Sequence, residues 1–114
     1  GHMFDLFKSR SALPEVDADQ LAGLSPSYRV IDVRQPEELN GMHGKIPESE
    51  NIPFEQLASR AQLWDRSQPV ILVCRSGARS GVATQLLQQM GFERAYNLRG
   101  GMIAYSGLEQ RQAA

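Results

Sequence analysis

The residues best suited to chemistry form a short run at positions 74–80, with the sequence CRSGARS. Cys74 is the single cysteine of the chain, and Arg75 and Arg79 lie close to it in the sequence. A lone cysteine is more often a small buried hydrophobic residue than a reactive group. Two arginines and a glycine beside Cys74 favour the reactive interpretation, because positive charge and free backbone amides stabilise a thiolate.

The position of this run between two elements strengthens that interpretation. The apolar stretch Val70–Val73 (VILV) predicts a buried strand before it, and an apolar helical pattern follows up to Met90. A tight turn at a helix start directs N–H groups and the positive end of the helix, about half a charge, toward an anion. A cysteine in such a place has a pKa of about 3.5 to 7.5, against about 8.5 for a free thiol. We therefore expect Cys74 to be largely ionised at neutral pH and to act as a nucleophile.

The same turn is suited to binding an anionic ligand. An oxyanion such as thiosulfate, or the outer sulfur of a persulfide, carries negative charge that Arg75, Arg79 and the turn amides can offset. The alternative for the two arginines is that they only keep the start of a helix hydrated at the surface. A cysteine placed between a buried strand and a helix favours anion binding.

Strands and helices alternate along the rest of the chain. Short β-branched or apolar runs predict strands, whereas amphipathic spacing and early proline or acidic residues predict helices. The predicted strands are residues 30–33, 51–52, 70–73 and 95–98. The predicted helices are residues 17–24 with Asp17 as the N-cap, a helix that opens at 36–39, residues 54–64, a helix from the cysteine run to Met90, and a helix that starts at Gly101. This alternation predicts an α/β fold with a mainly parallel sheet, in which ligands bind beyond the C-terminal strand ends.

The helix after the cysteine run has a predicted face and a predicted end. Its apolar residues are expected to share one buried face: Val82, Ala83, Leu86, Leu87 and Met90. Gly91 stands where a left-handed C-cap residue belongs, and we expect Phe92 to pack back on Leu87.

Length and composition indicate one ordinary globular domain. The chain has 114 residues, of which 41% are hydrophobic and 22% charged, and its formal net charge is −1. This balance gives no reason to expect nucleic acid or a membrane as a partner. Gly1 and His2 before Met3 are typical of a tag remnant, and the lack of a leader pattern and of disulfides makes the cytoplasm the expected compartment. Residues 4–10 (FDLFKSR) have the pattern of a short amphipathic helix.

Metal chemistry is not expected. Catalysis by a cysteine needs neither a metal nor an organic cofactor, and one cysteine is too few for a cysteine-rich metal site. His43 has no partner at ligand spacing, so we interpret it as a solvated loop residue.

Four short motifs, in order along the chain, resemble the rhodanese family. The run CRSGARS after VILV is similar to the active-site loop of single-domain rhodaneses. The three other motifs also resemble family signatures: VIDVR followed by PEEL, GKIP followed by NIP, and LRGGM. The resemblance covers residues 17–108 and implies a rhodanese-like three-layer α/β/α fold with a mainly parallel sheet of roughly five strands. Residues 1–2 are then a tag remnant, 3–16 an N-terminal segment and 109–114 a C-terminal tail.

The resemblance implies a role for each residue of the cysteine run. Cys74 would be the catalytic nucleophile that carries a persulfide. The rest of the loop would bind substrate: Arg75, Ser76, Gly77, Ala78, Arg79 and Ser80. Asp32 and Arg34 are expected mainly to support the loop and the nearby chain, with direct contact to the substrate as the alternative. Glu37 or Glu38 is expected to pair with Arg34.

The sequence departs from the family pattern outside this run. Lys45 stands where the family usually has histidine, Glu48 where it has glycine, and Ser49 where it has alanine. Tyr105 replaces the tryptophan often found after the double glycine. These changes bear on the substrate and partner rather than on the activity.

The implied activity is sulfur transfer without a cofactor. The thiolate would take the outer sulfur of a small anionic donor such as thiosulfate and pass it to a thiol or a partner protein. One alternative is a cysteine phosphatase or arsenate reductase, but their loops typically have C-x5-R spacing. Cys74 and Arg79 have C-x4-R spacing, and this shorter ring suits a single sulfur atom or a small sulfur oxyanion. A second alternative is a non-enzymatic sulfur-carrier or regulatory module, because a fold alone does not define a function.

Overall fold

A sheet of parallel strands forms the centre of the computed structural model, which describes residues 13–113. Within these residues the five strands are β1 (Glu15–Val16), β2 (Arg29–Asp32), β3 (Glu50–Asn51), β4 (Val70–Val73) and β5 (Ala95–Leu98). Their spatial order is β1-β5-β4-β2-β3, and every neighbouring pair is parallel. The predicted α/β fold with a parallel sheet is confirmed.

Helices follow most of the strands. The α-helices are α1 (Phe54–Ala61), α2 (Ala78–Gln89) and α3 (Gly101–Ala113), and two 3₁₀ helices span Ala18–Gly23 and Pro36–Asn40. The segments predicted as short helices after Asp17 and from Pro36 are therefore 3₁₀, a geometry that proteins use in short pieces. The backbone amide of Asp17 donates to Gln20 Oε1 at 2.7 Å, which fixes the start of the first one.

The strand β4 lies in the middle of the sheet and is buried on both faces. Val70 and Leu72 pack on the side of α1 and α2, whereas Ile71 and Val73 pack on the side of α3 and the first 3₁₀ helix. Side chains alternate along a strand, so a strand covered on both faces is apolar throughout, as VILV is. The alternation continues to Cys74, which lies on the α1–α2 side. The two covered faces give the predicted three layers.

The buried face of α2 differs from the predicted one. Val82 is 54% exposed, so its prediction as a buried residue is wrong. Ala83 and Leu87 are buried as predicted, and the helix also turns Gly81 toward the sheet. A side chain on Gly81 would lie 3.3 Å from Leu13 and 3.5 Å from Asn97. Only small residues allow the helix to approach this closely, and that approach decides which face is buried.

The end of α2 agrees with its predicted cap. Gly91 has a left-handed φ of 103°. The Phe92 amide donates to the Leu87 carbonyl at 3.0 Å, and the Gly91 amide donates to the Gln88 carbonyl at 3.0 Å. Phe92 is buried in the same apolar cluster as Leu87, so this C-cap is confirmed.

The edge strand β1 was not indicated by the sequence. It has two residues, Glu15 and Val16, and pairs with Asn97 and Leu98 of β5. Two residues are too few for an alternating pattern, so only the sheet reveals the strand. The segment 4–10, predicted as an amphipathic helix, lies outside the described residues. No helix within residues 13–113 has the length and apolar character needed to span a membrane.

Candidate active site

Cys74 lies directly after β4, where the chain turns into α2. Cys74 is 1% exposed, and its Sγ atom faces into the turn. The Gly77 amide donates to Sγ at 3.1 Å, the Ser80 amide at 3.4 Å and the Ser80 hydroxyl at 3.3 Å. The thiol therefore has three hydrogen-bond donors directed at it, and donors of this kind favour its ionised form.

Two opposing effects act on the thiol. Burial raises the pKa of Cys74, while hydrogen bonds from the Ser80 hydroxyl and from the Ser80, Gly77 and Ser76 amides lower it. The donors prevail, so the pKa of Cys74 lies below its ordinary value. The direction agrees with the expectation from sequence, and the main groups that produce it are the amides and the hydroxyl of the turn.

The carbonyl groups of the turn are held away from the sulfur. The Cys74 carbonyl accepts from the Met102 amide at 2.8 Å, and the Arg75 carbonyl accepts from the Ile103 amide at 3.0 Å. Both donors are first-turn amides of α3, which have no partner within their own helix. Because these carbonyls point outward, the amide side of the turn is left to face Sγ.

Asn97 completes the support of the turn from β5. Its side-chain amide Nδ2 donates to the Gly77 carbonyl at 3.1 Å and to Glu15 Oε2 at 3.3 Å, while Oδ1 accepts from the Ser80 hydroxyl at 2.5 Å. Asn97 is 3% exposed. Sequence reasoning missed this residue, because an asparagine inside a short strand pattern carries no signal that it contacts a distant turn.

The remaining loop residues face outward. Arg75, Ser76 and Ala78 are exposed, and among residues 13–113 no carboxylate forms an ion pair with Arg75. The charge of Arg75 is therefore free to meet an anion that approaches the turn.

Arg79 is engaged in a bidentate ion pair. Its Nη1 and Nη2 atoms lie 2.7 and 2.8 Å from the two carboxylate oxygens of Glu38. The expectation that Glu37 or Glu38 pairs with Arg34 is therefore wrong for the carboxylates. Arg34 donates to the backbone carbonyl of Glu38 at 3.3 Å, whereas the Glu38 side chain extends to Arg79. The 3₁₀ helix that carries Glu38 directs it to the start of α2.

Asp32 and Arg34 form a buried ion pair at the end of β2. Arg34 Nη2 lies 2.7 Å from Asp32 Oδ2, and both side chains are at most 2% exposed. Arg34 also donates to the Gly44 carbonyl at 2.8 Å. The pair thus holds the segment from Glu38 to Gly44. Within the described residues neither side chain hydrogen-bonds the cysteine turn, so their link to it passes through Glu38 and Arg79.

His43 is not a free loop residue. It is half-buried, and its Nδ1 atom lies 3.1 Å from the Ser106 hydroxyl on α3. The interpretation as a solvated histidine is therefore corrected. Within residues 13–113 no group of three His, Cys, Asp or Glu side chains is close enough to hold a metal ion.

Known proteins share this fold and much of this sequence. The family model for the Rhodanese-like domain matches residues 17–108. A sulfurtransferase of Allochromatium vinosum is 34% identical over 95 residues, which cover 81% of this chain and 87% of that protein. The thiosulfate sulfurtransferase GlpE of Shewanella oneidensis is 30% identical, with 83% and 94% covered. The solved structure of the human single-domain sulfurtransferase TSTD1 has a TM-score of 0.71 and 29% identity, with 87% and 98% covered.

The parallel sheet with helices on both faces is the fold of the rhodaneses. The chain belongs to the rhodanese-like domain family. Its relatives support sulfurtransferase as the kind of protein.

Proposed function

We propose that the protein is a sulfurtransferase that carries a sulfane sulfur as a persulfide on Cys74. The observation that carries this proposal is the set of three donors directed at Sγ, with the neighbouring carbonyls turned away. An amide-lined turn stabilises a thiolate before the reaction and the anionic outer sulfur after it. Relatives named as thiosulfate sulfurtransferases support the same chemistry.

The proposed reaction has two half-reactions. In the first, the Cys74 thiolate attacks the outer sulfur of a donor such as thiosulfate, the donor S–S bond breaks, and sulfite leaves with the electron pair. In the second, a thiol or a partner protein attacks the outer sulfur of the persulfide and regenerates the thiolate. The proposed first attack uses no separate base, because the lowered pKa of Cys74 favours its ionised, nucleophilic form.

The loop residues have matching proposed roles. The amides of Ser76, Gly77 and Ser80 hold the transferred sulfur, and Arg75 attracts the anionic donor to the turn. Ala78 is small enough to leave the turn accessible. A free, unpaired cysteine suits a reducing compartment, so we place the protein in the cytoplasm.

The test is intact-protein mass spectrometry after treatment with thiosulfate. We expect the wild-type protein to gain the mass of one sulfur atom, and cyanide to remove it with formation of thiocyanate. Cys74→Ala should gain nothing, and since Cys74 is the single cysteine no other thiol can contribute. A wild-type protein whose Cys74 reacts with iodoacetamide but never gains sulfur would contradict the proposal and favour a binding module. Turnover of an aryl phosphate in its place would favour a phosphatase.

A further inference from the structure

We propose that Glu38 sets the charge selectivity of the site, so that sulfur donors with one negative charge are preferred to dianionic donors. The inference rests on the proposed sulfur transfer, whose donor class it narrows. It arises from the ion pair between Glu38 and Arg79, which uses an arginine that the sequence pattern assigns to the substrate.

Both terminal nitrogens of Arg79 are occupied by one carboxylate. The two N–O distances of 2.7 and 2.8 Å describe a fork-to-fork pair, the strongest geometry between these groups. Glu38 is itself anchored, because the Gln35 amide donates to its Oε2 atom at 2.9 Å. A donor anion can use Arg79 only by displacing a carboxylate that is held from two sides.

The ion pairs around the turn leave little free positive charge. Arg34 is neutralised by Asp32, and Arg79 is neutralised by Glu38. Arg75 is the one of these three arginines without a carboxylate partner among the described residues. The Cys74 thiolate is offset by the amides and the hydroxyl of the turn. The other side chains then contribute a net charge of +1 from Arg75, which balances a monoanion and leaves a dianion with one charge uncompensated.

The carboxylate keeps its charge throughout the working pH range. The hydrogen bonds from Arg79 lower the pKa of Glu38 to about 2, against the opposing effect of burial. Protonation therefore never frees Arg79 under conditions in which Cys74 is reactive. The restriction on dianions is a permanent property of the site.

Two donors that differ by one charge test this inference. Thiosulfate is a dianion, and methanethiosulfonate is its monoanionic analogue, in which a methyl group replaces one charged oxygen. With either donor the Cys74 thiolate forms a bond to the outer sulfur and the donor S–S bond breaks. Sulfite or methanesulfinate leaves with the electron pair, and the persulfide keeps one negative charge. Neither reaction needs an oxidant or a reductant.

The variant to measure is Glu38→Gln, which keeps the size of the side chain and removes its charge. We expect the ratio of kcat/KM for thiosulfate to that for methanethiosulfonate to rise about fivefold, the effect of one partly exposed charge pair. The ratio cancels any change in the nucleophilicity of Cys74. Glu37→Gln is the matched control, because Glu37 is exposed and forms no ion pair within the described residues. An unchanged ratio in Glu38→Gln, or an equal rise in Glu37→Gln, would overturn the inference.

A second measurement uses the wild-type protein and needs no sulfur transfer. Unreactive sulfate and methanesulfonate are compared for their ability to slow alkylation of Cys74 by neutral iodoacetamide, at constant ionic strength. We expect methanesulfonate to protect at an equal or lower concentration than sulfate. Protection by sulfate at clearly lower concentrations would overturn the inference. Failure of the proposed function would instead appear as a lack of persulfide in the mass spectrum.

Discussion

The hydroxyl group of Ser80 has one proton and two acceptors. Asn97 Oδ1 lies at 2.5 Å and Cys74 Sγ at 3.3 Å from the Ser80 oxygen. The Asn97 amide cannot turn its nitrogen to Ser80 without losing its bond to the Gly77 carbonyl. We therefore expect the proton to stay with Asn97 while the sulfur is neutral and to turn toward Sγ when it is ionised, since a charged acceptor forms the stronger bond.

Removal of this hydroxyl tests its contribution to the nucleophile. In Ser80→Ala the pKa of Cys74 should rise, because the hydrogen bond from the Ser80 side chain lowers this pKa more than any other hydrogen bond does. The thiolate is the reactive form, so the alkylation rate should rise with pH at a higher midpoint than in the wild type. At mildly acidic pH the rate should fall about threefold or more. The rate of iodoacetamide alkylation across a pH series measures this.

Ser59→Ala is the matched control for that variant. Ser59 is exposed on α1, and its hydroxyl donates to the Gln56 carbonyl within the same helix. Removal of the Ser59 hydroxyl should leave the pH midpoint of Cys74 alkylation unchanged. Coinciding pH profiles for the wild type and Ser80→Ala would show that the backbone amides alone set the pKa.

At the scale of elements, α3 orients the turn by its first residues. Gly101 has a left-handed φ of 55°, and a Cβ atom there would lie 2.4 Å from the Cys74 carbonyl oxygen and 2.6 Å from that of Arg75. These are the carbonyls that the Met102 and Ile103 amides hold. The absence of a side chain at Gly101 therefore lets the helix start against the backbone of the turn.

Gly101→Ala should separate α3 from the turn. We expect a loss of sulfur-transfer activity of about 100-fold, because a small misplacement of a reacting group has effects of that size. The initial rate with thiosulfate and cyanide measures the loss, and thermal unfolding shows whether the protein still folds.

Gly107→Ala in the same helix is the control, since its Cβ would make only an ordinary contact at 3.5 Å. It should keep full activity and raise the free energy of unfolding by about 0.5 to 1 kcal/mol. Equal activity of the two variants would contradict this role of Gly101.

At the scale of the whole molecule, a chain of ion pairs connects the sheet to the turn. The buried Asp32–Arg34 pair holds the segment that carries Glu38, and Glu38 reaches Arg79 at the start of α2. The candidate site therefore depends on contacts between segments that are well separated in the sequence. Loss of a member of the buried pair should affect folding before it affects chemistry.

Asp32→Asn tests the buried pair. It leaves the charge of Arg34 buried without a counter-ion, so the free energy of unfolding should fall by about 3 to 5 kcal/mol. Glu50→Gln is the matched control, because it breaks the exposed Arg29–Glu50 pair and should cost less than about 1 kcal/mol. Urea unfolding followed by circular dichroism measures both. Equal losses in the two variants would mean that the buried charge of Arg34 finds another partner.

The sequence by itself determined the features that depend on neighbouring residues. The apolar run VILV predicted β4, Gly91 predicted the end of α2, and the motifs predicted the rhodanese-like fold with Cys74 at a strand end. Periodicity, turn chemistry and motif spacing are local properties, so a reader of the chain can find them without a structure.

Only the tertiary structure decided which distant groups meet at the turn. Glu38 and Arg79 are 41 positions apart, and Asn97 is 17 positions from Ser80. The outward position of Val82 depends on how closely α2 approaches the sheet. No spacing along the chain encodes such contacts, because they result from the packing of separate elements. The sequence thus indicated a nucleophile with two free arginines, whereas the fold leaves one of them free and gives the other to Glu38.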